Sequence, residues 1–248
     1  MAWQFTPLTL TSADNIDFMI HGLFSYEIFG QTVWITTSHV CILIVMLILI
    51  GFAFAANRVL VKASPTDAPT GFQNFVELLI EVFHSIISGS MGKATPRYFN
   101  YISTILMFIL LSNISGLLGL RPPTADYGTT FALAIITFCL IHFAQFKHNS
   151  LKSIWTDMCS PLPPWLPLWF PINLISEIAV PISLSLRLFA NILSGTVIMA
   201  LVYGLLSGIA IAWPSFLHIY FDLFSGAIQT YVFAMLTMTY IAQQIGDD

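Results

Sequence analysis

Long apolar segments alternate with short polar turns along this chain. A helix needs about 20 apolar residues to cross the roughly 30 Å hydrocarbon core of a bilayer, and segments of that length recur. We predict an all-α integral membrane protein with about five transmembrane helices in a single membrane domain, 1–248. The predicted transmembrane helices are 33–56, 99–120, 130–146, 171–203 and 214–244, the last two long, tilted and paired as an antiparallel hairpin.

The segment 72–90 has a different pattern. Its apolar residues recur at helical spacing on one face, while Glu77, Glu81 and His84 lie on the opposite face. This periodicity is typical of an amphipathic helix. We predict that the helix lies along the membrane surface or against a partner.

Composition agrees with a membrane domain and excludes several functions. Hydrophobic residues make up 57% of the chain and charged residues 8%, whereas about a quarter of a soluble domain is charged. Neither a basic run nor a glycine-rich phosphate loop predicts a nucleic-acid or nucleotide partner. The cysteines and histidines lack metal-ligand spacing, and no nucleophile accompanies a base. We therefore expect no metal, no cofactor and no catalysis within this chain.

The distribution of cations predicts the orientation, because cytoplasmic loops carry the excess of Lys and Arg. With five spans, Arg121 falls on one side of the membrane. The opposite side receives Arg58, Lys62, Lys93, Arg97, Lys147 and Lys152. We therefore predict an outside N-terminus and a cytoplasmic C-terminus.

Arg187 belongs to neither side, since it lies about 16 residues from both ends of the fourth predicted span. A central arginine costs roughly 2.5 to 3.5 kcal/mol on insertion scales, so it needs a counter-charge or water at that depth. Ser183, Asn191 and Ser194 share its helical face. Together they predict one wall of a hydrated path.

The last helix offers the opposite wall, because Asp222 and Gln229 are seven residues apart and share a face of an α-helix. A rise of ~1.5 Å per residue puts Arg187 and Gln229 about 24 and 22 Å below the outer ends of their helices. The same estimate puts Asp222 about 12 Å and Thr196 about 10 Å deep. Asp222 is thus predicted to be reached from outside.

Structural alternatives remain at this point. Arg187 could form an internal ion pair with Asp222 or Glu177, and Asn191 and Gln229 could form only an interhelical hydrogen bond. Lone histidines such as His142 and His218 are more often structural residues than proton relays. An ion pathway is the favoured interpretation, since ionisable groups inside membranes usually mark one.

Three sequence segments resemble subunit a of the F-type ATP synthase. They are ISLSLRLFANILSG at 182–195, IQTYVFAMLTMTYI at 228–241 and NISGLLGL at 113–120. The resemblance extends over most of the chain after about residue 70. It implies a non-catalytic stator subunit of the F0 sector, with two offset half-channels that pass protons, or Na⁺, to and from a rotating ring of c subunits.

The resemblance also implies roles for particular residues. Arg187 matches the arginine that meets the ion-carrying carboxylate of each c subunit, and Asn191 and Gln229 match polar positions beside it. Asp222 matches a titratable position of the outer half-channel, and Glu177 an acid near the inner one. The implied partners are the c-ring, the b subunits of the peripheral stalk and the lipid of an energy-coupling membrane, such as the bacterial plasma membrane.

Thr196 departs from the family pattern, in which many bacterial members carry a carboxylate at this position and a histidine at the position of Asp222. We expect the Asp222 carboxylate to lie, from the opposite helix, in the same space that the carboxylate at the position of Thr196 occupies in those members. The alternative function is a self-contained secondary transporter in which Arg187 binds an anionic substrate. Transporters of that kind commonly have inverted repeats, and no repeat is visible in this sequence.

Overall fold

The structure is a computed structural model that describes residues 22–28, 31–63, 71–118, 120–159, 169–205 and 214–245. The helices in these ranges are α1 (Thr37–Leu60), α2 (Gly71–Met91), α3 (Thr95–Ile114), α4 (Tyr127–His148), α5 (Leu151–Cys159), α6 (Phe170–Leu205), α7 (Pro214–His218) and α8 (Gly226–Ile245). Short 3-10 turns occupy Gly92–Ala94, Ser115–Leu118 and Pro123–Ala125. A π-helical segment, Ile219–Ser225, joins α7 to α8.

Within the described ranges, five helical segments are long and apolar enough to cross a membrane. They are Thr37–Leu60, Gly71–Leu118, Tyr127–His148, Phe170–Gly204 and Phe216–Ile245. The second includes both α2 and α3. The predicted all-α membrane fold class is confirmed.

A short β-hairpin precedes α1 and was not predicted. Strands β1 (Gly22–Ile28) and β2 (Gln31–Thr36) pair antiparallel. The first membrane helix consequently begins at Thr37 and ends at Leu60, rather than spanning 33–56. Hydropathy alone does not distinguish a strand from the start of a membrane helix here, because the β-branched and aromatic residues of β2 are apolar and also favour strands.

Helices α3 and α8 form the centre of the molecule. Buried residues of both belong to two core clusters, one shared with α2 and α4 and the other with α4 and α6. The first cluster includes Ile102, Ala234 and Met238, and the second includes Ile109, Leu188 and Phe233. The second cluster therefore fixes the long helix α6 against the centre.

Helix α2 packs through one face, as its amphipathic pattern predicts. Val76, Phe83 and Ile87 are buried, whereas Glu77 and Glu81 on the opposite face are exposed. The buried residues near its C-terminal end lie in the cluster with α3 and α8. Much of its apolar face is thus covered by this chain itself.

Helix α6 is the longest helix described, with 36 residues. At ~1.5 Å per residue it is about 54 Å long, so it must tilt within a bilayer whose core is roughly 30 Å thick. Pro181 lies inside it and removes the amide hydrogen bond to the carbonyl of Glu177, which favours a local bend. Its most extensive packing is against α4.

A buried polar network ties α3 to the start of α8. The Asn113 amide donates to the Gly226 carbonyl at 3.0 Å and to the Thr230 hydroxyl at 3.3 Å. Thr124 donates to Asn113 Oδ1 at 2.9 Å. Gly226 permits this approach, because a Cβ at that position would lie 2.8 Å from Asn113 Cβ. The network thereby fixes where the π-helical segment ends.

Gly226→Ala is expected to destabilise the protein by about 1–3 kcal/mol, because the added methyl group overlaps Asn113. The matched control is Gly51→Ala in α1, where nothing lies within 4 Å of an added Cβ and alanine favours the helix. Thermal unfolding of the purified protein in detergent measures the difference. Equal transition temperatures for the two variants would contradict the proposed packing.

Candidate functional site

Arg187 lies near the middle of α6 with its side chain exposed. Ser183 and Ser194 on the same helical face are also exposed. In the part of the chain that the structure describes, Arg187 has no hydrogen bond or ion pair. The guanidinium is therefore presented to whatever covers this face of α6.

The surface around Arg187 is otherwise apolar. Large exposed apolar side chains on α6 include Ile175, Ile178, Ile182, Leu186, Leu193, Val197 and Leu201. Such a surface suits lipid or a hydrophobic helix of another protein. A single cation within it suits neither lipid nor an uncharged helix.

Neither internal ion pair left open by the sequence is present. The Asp222 carboxylate lies 3.1 Å from His218, and the Glu177 carboxylate lies 4.0 Å from His142. Each acid of the two candidate pairs therefore has a histidine neighbour, and neither reaches Arg187.

Contacts between α6 and the π-helical segment establish an antiparallel register. The Ser225 hydroxyl donates to Asn191 Oδ1 at 2.9 Å, and a Cβ on Gly195 would lie 3.5 Å from Phe221 Cβ. Continued toward the start of α6, this register puts Arg187 level with the turn of α8 that contains Gln229. The depth estimate from the sequence likewise places Arg187 and Gln229 at similar depths in the membrane.

Asn191 and Gln229 are the polar amides at this level. Gln229 is 8% exposed, and its Nε2 has no hydrogen-bond partner among the described residues. Asn191 Nδ2 is likewise buried and unpartnered in that part of the chain. Buried amide donors ordinarily find an acceptor, so both nitrogens are available to a water molecule or to a group from another chain.

The π-helical segment changes the direction of Asp222 relative to Gln229. Residues seven apart share a face only when the intervening helix is α, but Asp222 and the residues up to Ser225 lie in wider π turns. Asp222 consequently faces the turn after α3, where a Cβ on Gly116 would lie 3.3 Å from its Cγ. The helix between the two residues is thus not α throughout, and the shared face of their side chains stays a prediction.

Asp222 ends a chain of three polar side chains. His218 Nδ1 lies 3.1 Å from Asp222 Oδ2, and His218 Nε2 lies 3.2 Å from the hydroxyl of Tyr203. Tyr203 comes from the end of α6 and His218 from α7. The three residues therefore connect an exposed position near the helix ends to the carboxylate.

A second polar group lies near the opposite end of α6. His142 on α4 lies 4.0 Å from Glu177 on α6 and 3.0 Å from Gln145 Oε1. Glu177 precedes Arg187 by ten residues, or ~15 Å along the helix, whereas Gly195, beside Phe221, follows it by ~12 Å. The two His–carboxylate pairs thus lie toward opposite ends of α6, with Arg187 between them.

Thr196 lies near the level of Asp222 but forms no hydrogen bond with it in the described ranges. Its side chain is exposed, and its hydroxyl donates to the Leu193 carbonyl at 2.8 Å. This local bond leaves the hydroxyl oxygen free to accept. The shared volume between Thr196 and Asp222 stays a prediction.

Sequence reasoning did not find Tyr203, Gly116, Gln145 or Ser225. The four-residue spacing of His218 and Asp222 is a usable signal, because such side chains are neighbours on a helix. Gln145 likewise lies three residues after His142 on the same helix. Tyr203, Gly116 and Ser225 depend on contacts between distant segments, and periodicity within a single helix contains no information about those contacts.

Comparison with known proteins gives consistent matches. The family model described as ATP synthase A chain matches residues 39–242. The sodium-ion-specific ATP synthase subunit a of Propionigenium modestum is 36% identical, over 72% of this chain and 65% of its own length. The ATP synthase subunits a of Moorella thermoacetica and of a Sulfurihydrogenibium species are 32% and 33% identical, over 80% and 84% of this chain and 86% and 97% of their own lengths. The chain thus spans just under two thirds of the first relative and most of the other two.

Paired cysteines can test the register between α6 and the π-helical segment. Gly195→Cys with Phe221→Cys is expected to form a disulfide on mild oxidation, because their Cβ separation of 3.5 Å lies within the disulfide range of about 3.5–4.5 Å. The background first requires replacement of the free thiols Cys41, Cys139 and Cys159.

Thr196→Cys with Phe221→Cys is the control, since one residue turns the side chain by about 100° around the helix. Proteolysis between α6 and α7 followed by gel electrophoresis distinguishes linked from unlinked chains. Equal cross-linking of the two pairs, or cross-linking of the control alone, would contradict the register.

Proposed function

Because the chain belongs to the ATP synthase A chain family, we propose that it is the ion-conducting stator subunit of the synthase membrane sector. In this role it passes ions through two offset half-channels to and from a rotating ring of c subunits. The observation that carries the proposal is Arg187, an exposed cation in the middle of an apolar helix, without an acid partner in the described chain.

The energetics of Arg187 favour a protein partner over lipid. A guanidinium facing hydrocarbon costs roughly 2.5 to 3.5 kcal/mol by insertion scales. A carboxylate on a neighbouring membrane helix removes that cost by supplying the counter-charge. An ion-carrying carboxylate on each c subunit is such a group.

The distribution of polar groups supports two half-channels. The His218–Asp222 pair lies toward one end of α6, and the His142–Glu177 pair toward the other. Each could hydrate a path that reaches from its own side to the level of Arg187. Ser183, Ser194 and Thr196 then line exposed parts of the α6 wall, while Asn191 and Gln229 offer unpartnered amides beside the arginine.

Arg187 separates the two paths electrostatically. Its positive charge favours the ionised form of a carboxylate that faces it, so each passing c subunit releases its ion there. The same charge repels cations and opposes direct leakage from one half-channel to the other. Rotation of the ring is then the route by which an ion crosses.

The orientation follows from the cation distribution, with the N-terminus outside and the C-terminus in the cytoplasm. Asp222 then belongs to the outer half-channel and Glu177 to the inner one. The membrane is an energy-coupling membrane such as the bacterial plasma membrane. The chain itself binds no nucleotide and catalyses no reaction, and its partners are the c-ring and the b subunits of the peripheral stalk.

A secondary transporter is the competing function, and family membership argues against it. Affinity purification of the tagged chain from its native membrane distinguishes the two. A stator subunit brings down c and b subunits in defined proportion, whereas a transporter does not.

Arg187→Ala is expected to abolish ATP synthesis driven by an ion gradient in vesicles that contain the assembled complex. Without the arginine, no positive charge favours release of the ion from the c-subunit carboxylate. Lys147→Ala is the matched control, since it removes an exposed cation at the end of α4 that belongs to neither proposed path. Synthesis at the normal rate by the Arg187→Ala complex would refute the proposed function.

Asp222→Asn is expected to lower ion-driven synthesis by at least about tenfold, because the amide cannot accept and return a proton. Adding Thr196→Glu to this variant tests the shared volume, since a carboxylate at the same level should restore part of the rate. Both rates are measured in vesicles with equal amounts of assembled complex. An unchanged rate for the single variant would remove Asp222 from the path, and absence of rescue would count against the shared volume.

A further inference from the structure

We infer that Tyr203 and His218 form a proton relay that delivers protons to Asp222, so that the ion entering this half-channel is H⁺ rather than Na⁺. The inference deepens the proposed function and rests on it. It starts from three side chains that the sequence did not link, arranged as phenol, imidazole and carboxylate at successive separations of 3.2 and 3.1 Å.

The hydrogen-bond directions fit a relay. A carboxylate only accepts, so His218 Nδ1 carries the hydrogen that is donated to Asp222 Oδ2. In the neutral ring Nε2 is then an acceptor, and the Tyr203 hydroxyl donates to it. Both bonds therefore point in one direction, from the exposed phenol toward the acid.

One transfer balances as follows. The Tyr203 O–H bond breaks as its proton adds to Nε2, and the ring becomes an imidazolium. A proton from the aqueous side restores the O–H bond of Tyr203. The Nδ1–H bond then breaks and its proton forms an O–H bond on Asp222, which leaves a neutral ring protonated on Nε2. Asp222 gives this proton to the next acceptor and becomes a carboxylate again. A half-turn of the imidazole restores an N–H toward the acid.

The same surroundings are unsuited to Na⁺. A hard cation requires several oxygen ligands, but Oδ2 of Asp222 faces an imidazole nitrogen. The carboxyl group otherwise packs on Gly116, and the Pro122 ring lies beside that glycine. Among the described residues, Asp222 has no hydrogen-bond partner other than His218, so no second oxygen side chain is held beside its carboxylate. The geometry of Asp222 thus favours transfer of a proton over coordination of a metal ion.

Exposure also suits a relay from the surface. The His218 side chain is 40% exposed and that of Asp222 is 23% exposed, so the imidazole is the more accessible of the two groups from outside this chain. Asp222 lies one helical turn further along the chain, toward the level of Arg187. A proton that enters at His218 therefore moves from the more exposed group to the less exposed one.

The test is passive ion conduction by the assembled membrane sector in vesicles from which the catalytic sector has been removed. A potassium diffusion potential drives uptake, and proton and radiolabelled sodium fluxes are recorded separately. His218→Ala is expected to lower proton conduction by about 10²-fold, a typical contribution of a positioned proton-transfer group. Added imidazole should restore a large part of the lost rate, because it can occupy the vacated space and carry the proton.

Tyr203→Phe retains the ring and removes the hydroxyl, so a smaller loss is expected. His84→Ala in α2 is the control, because His84 is an exposed histidine remote from this site in the chain, and it should conduct normally. Recovery of c and b subunits with each variant shows that the complex has assembled. Together with imidazole rescue, this check distinguishes a missing relay from a misfolded helix.

Three outcomes would overturn the relay: normal proton conduction by His218→Ala, a loss that imidazole does not restore in an assembled complex, or sodium flux through the unmodified sector. Failure of the relay is separable from failure of the proposed function. If Arg187→Ala abolishes synthesis while His218→Ala conducts normally, the stator function stands and only the relay is wrong. If Arg187→Ala synthesises ATP normally, the stator function itself is wrong.

Discussion

A guanidinium in the hydrocarbon layer is tolerated only where water or an opposite charge reaches it, and the arrangement of this protein depends on that constraint. Arg187 is too far from both ends of α6 to reach the membrane surface by extending its side chain. The two acids that could have neutralised it are held near histidines toward opposite ends of the helix. The positive charge is consequently left for a group outside the described chain.

Close contacts between helices keep Arg187 in this position. Helices in a membrane gain little from burying apolar surface against one another, so small residues and interhelical hydrogen bonds determine their packing. Gly195 admits Phe221, and Gly226 admits Asn113. The Ser225–Asn191 bond adds a polar tie at the same interface. Together these contacts fix the level of α6 relative to α8, and therefore the level of Arg187.

The π-helical segment has a distinct consequence. Its wider turns direct Asp222 toward Gly116 and the turn after α3, while the following α8 buries Gln229. Departures of this kind are frequent at functional sites. Here the segment separates an acid that contacts His218 from an amide at the level of the arginine. One continuous polypeptide thereby contributes to two different environments at two depths.

The sequence by itself determined the membrane class, the number of spans and the place of Arg187 as a charge in the middle of an apolar helix, because hydropathy and the cost of a buried charge are properties of single segments. It also gave the matched levels of Arg187 and Gln229, since helical rise is nearly constant. It did not determine the β-hairpin before α1, because the residues of β2 are apolar enough for either a strand or a membrane helix. It also did not determine the direction of the Asp222 side chain, which depends on the local change from α to π turns. The partners of Glu177 and Asn191 come from other helices. Only the tertiary structure decided them, because the spacing of residues along one helix does not specify which face another helix covers.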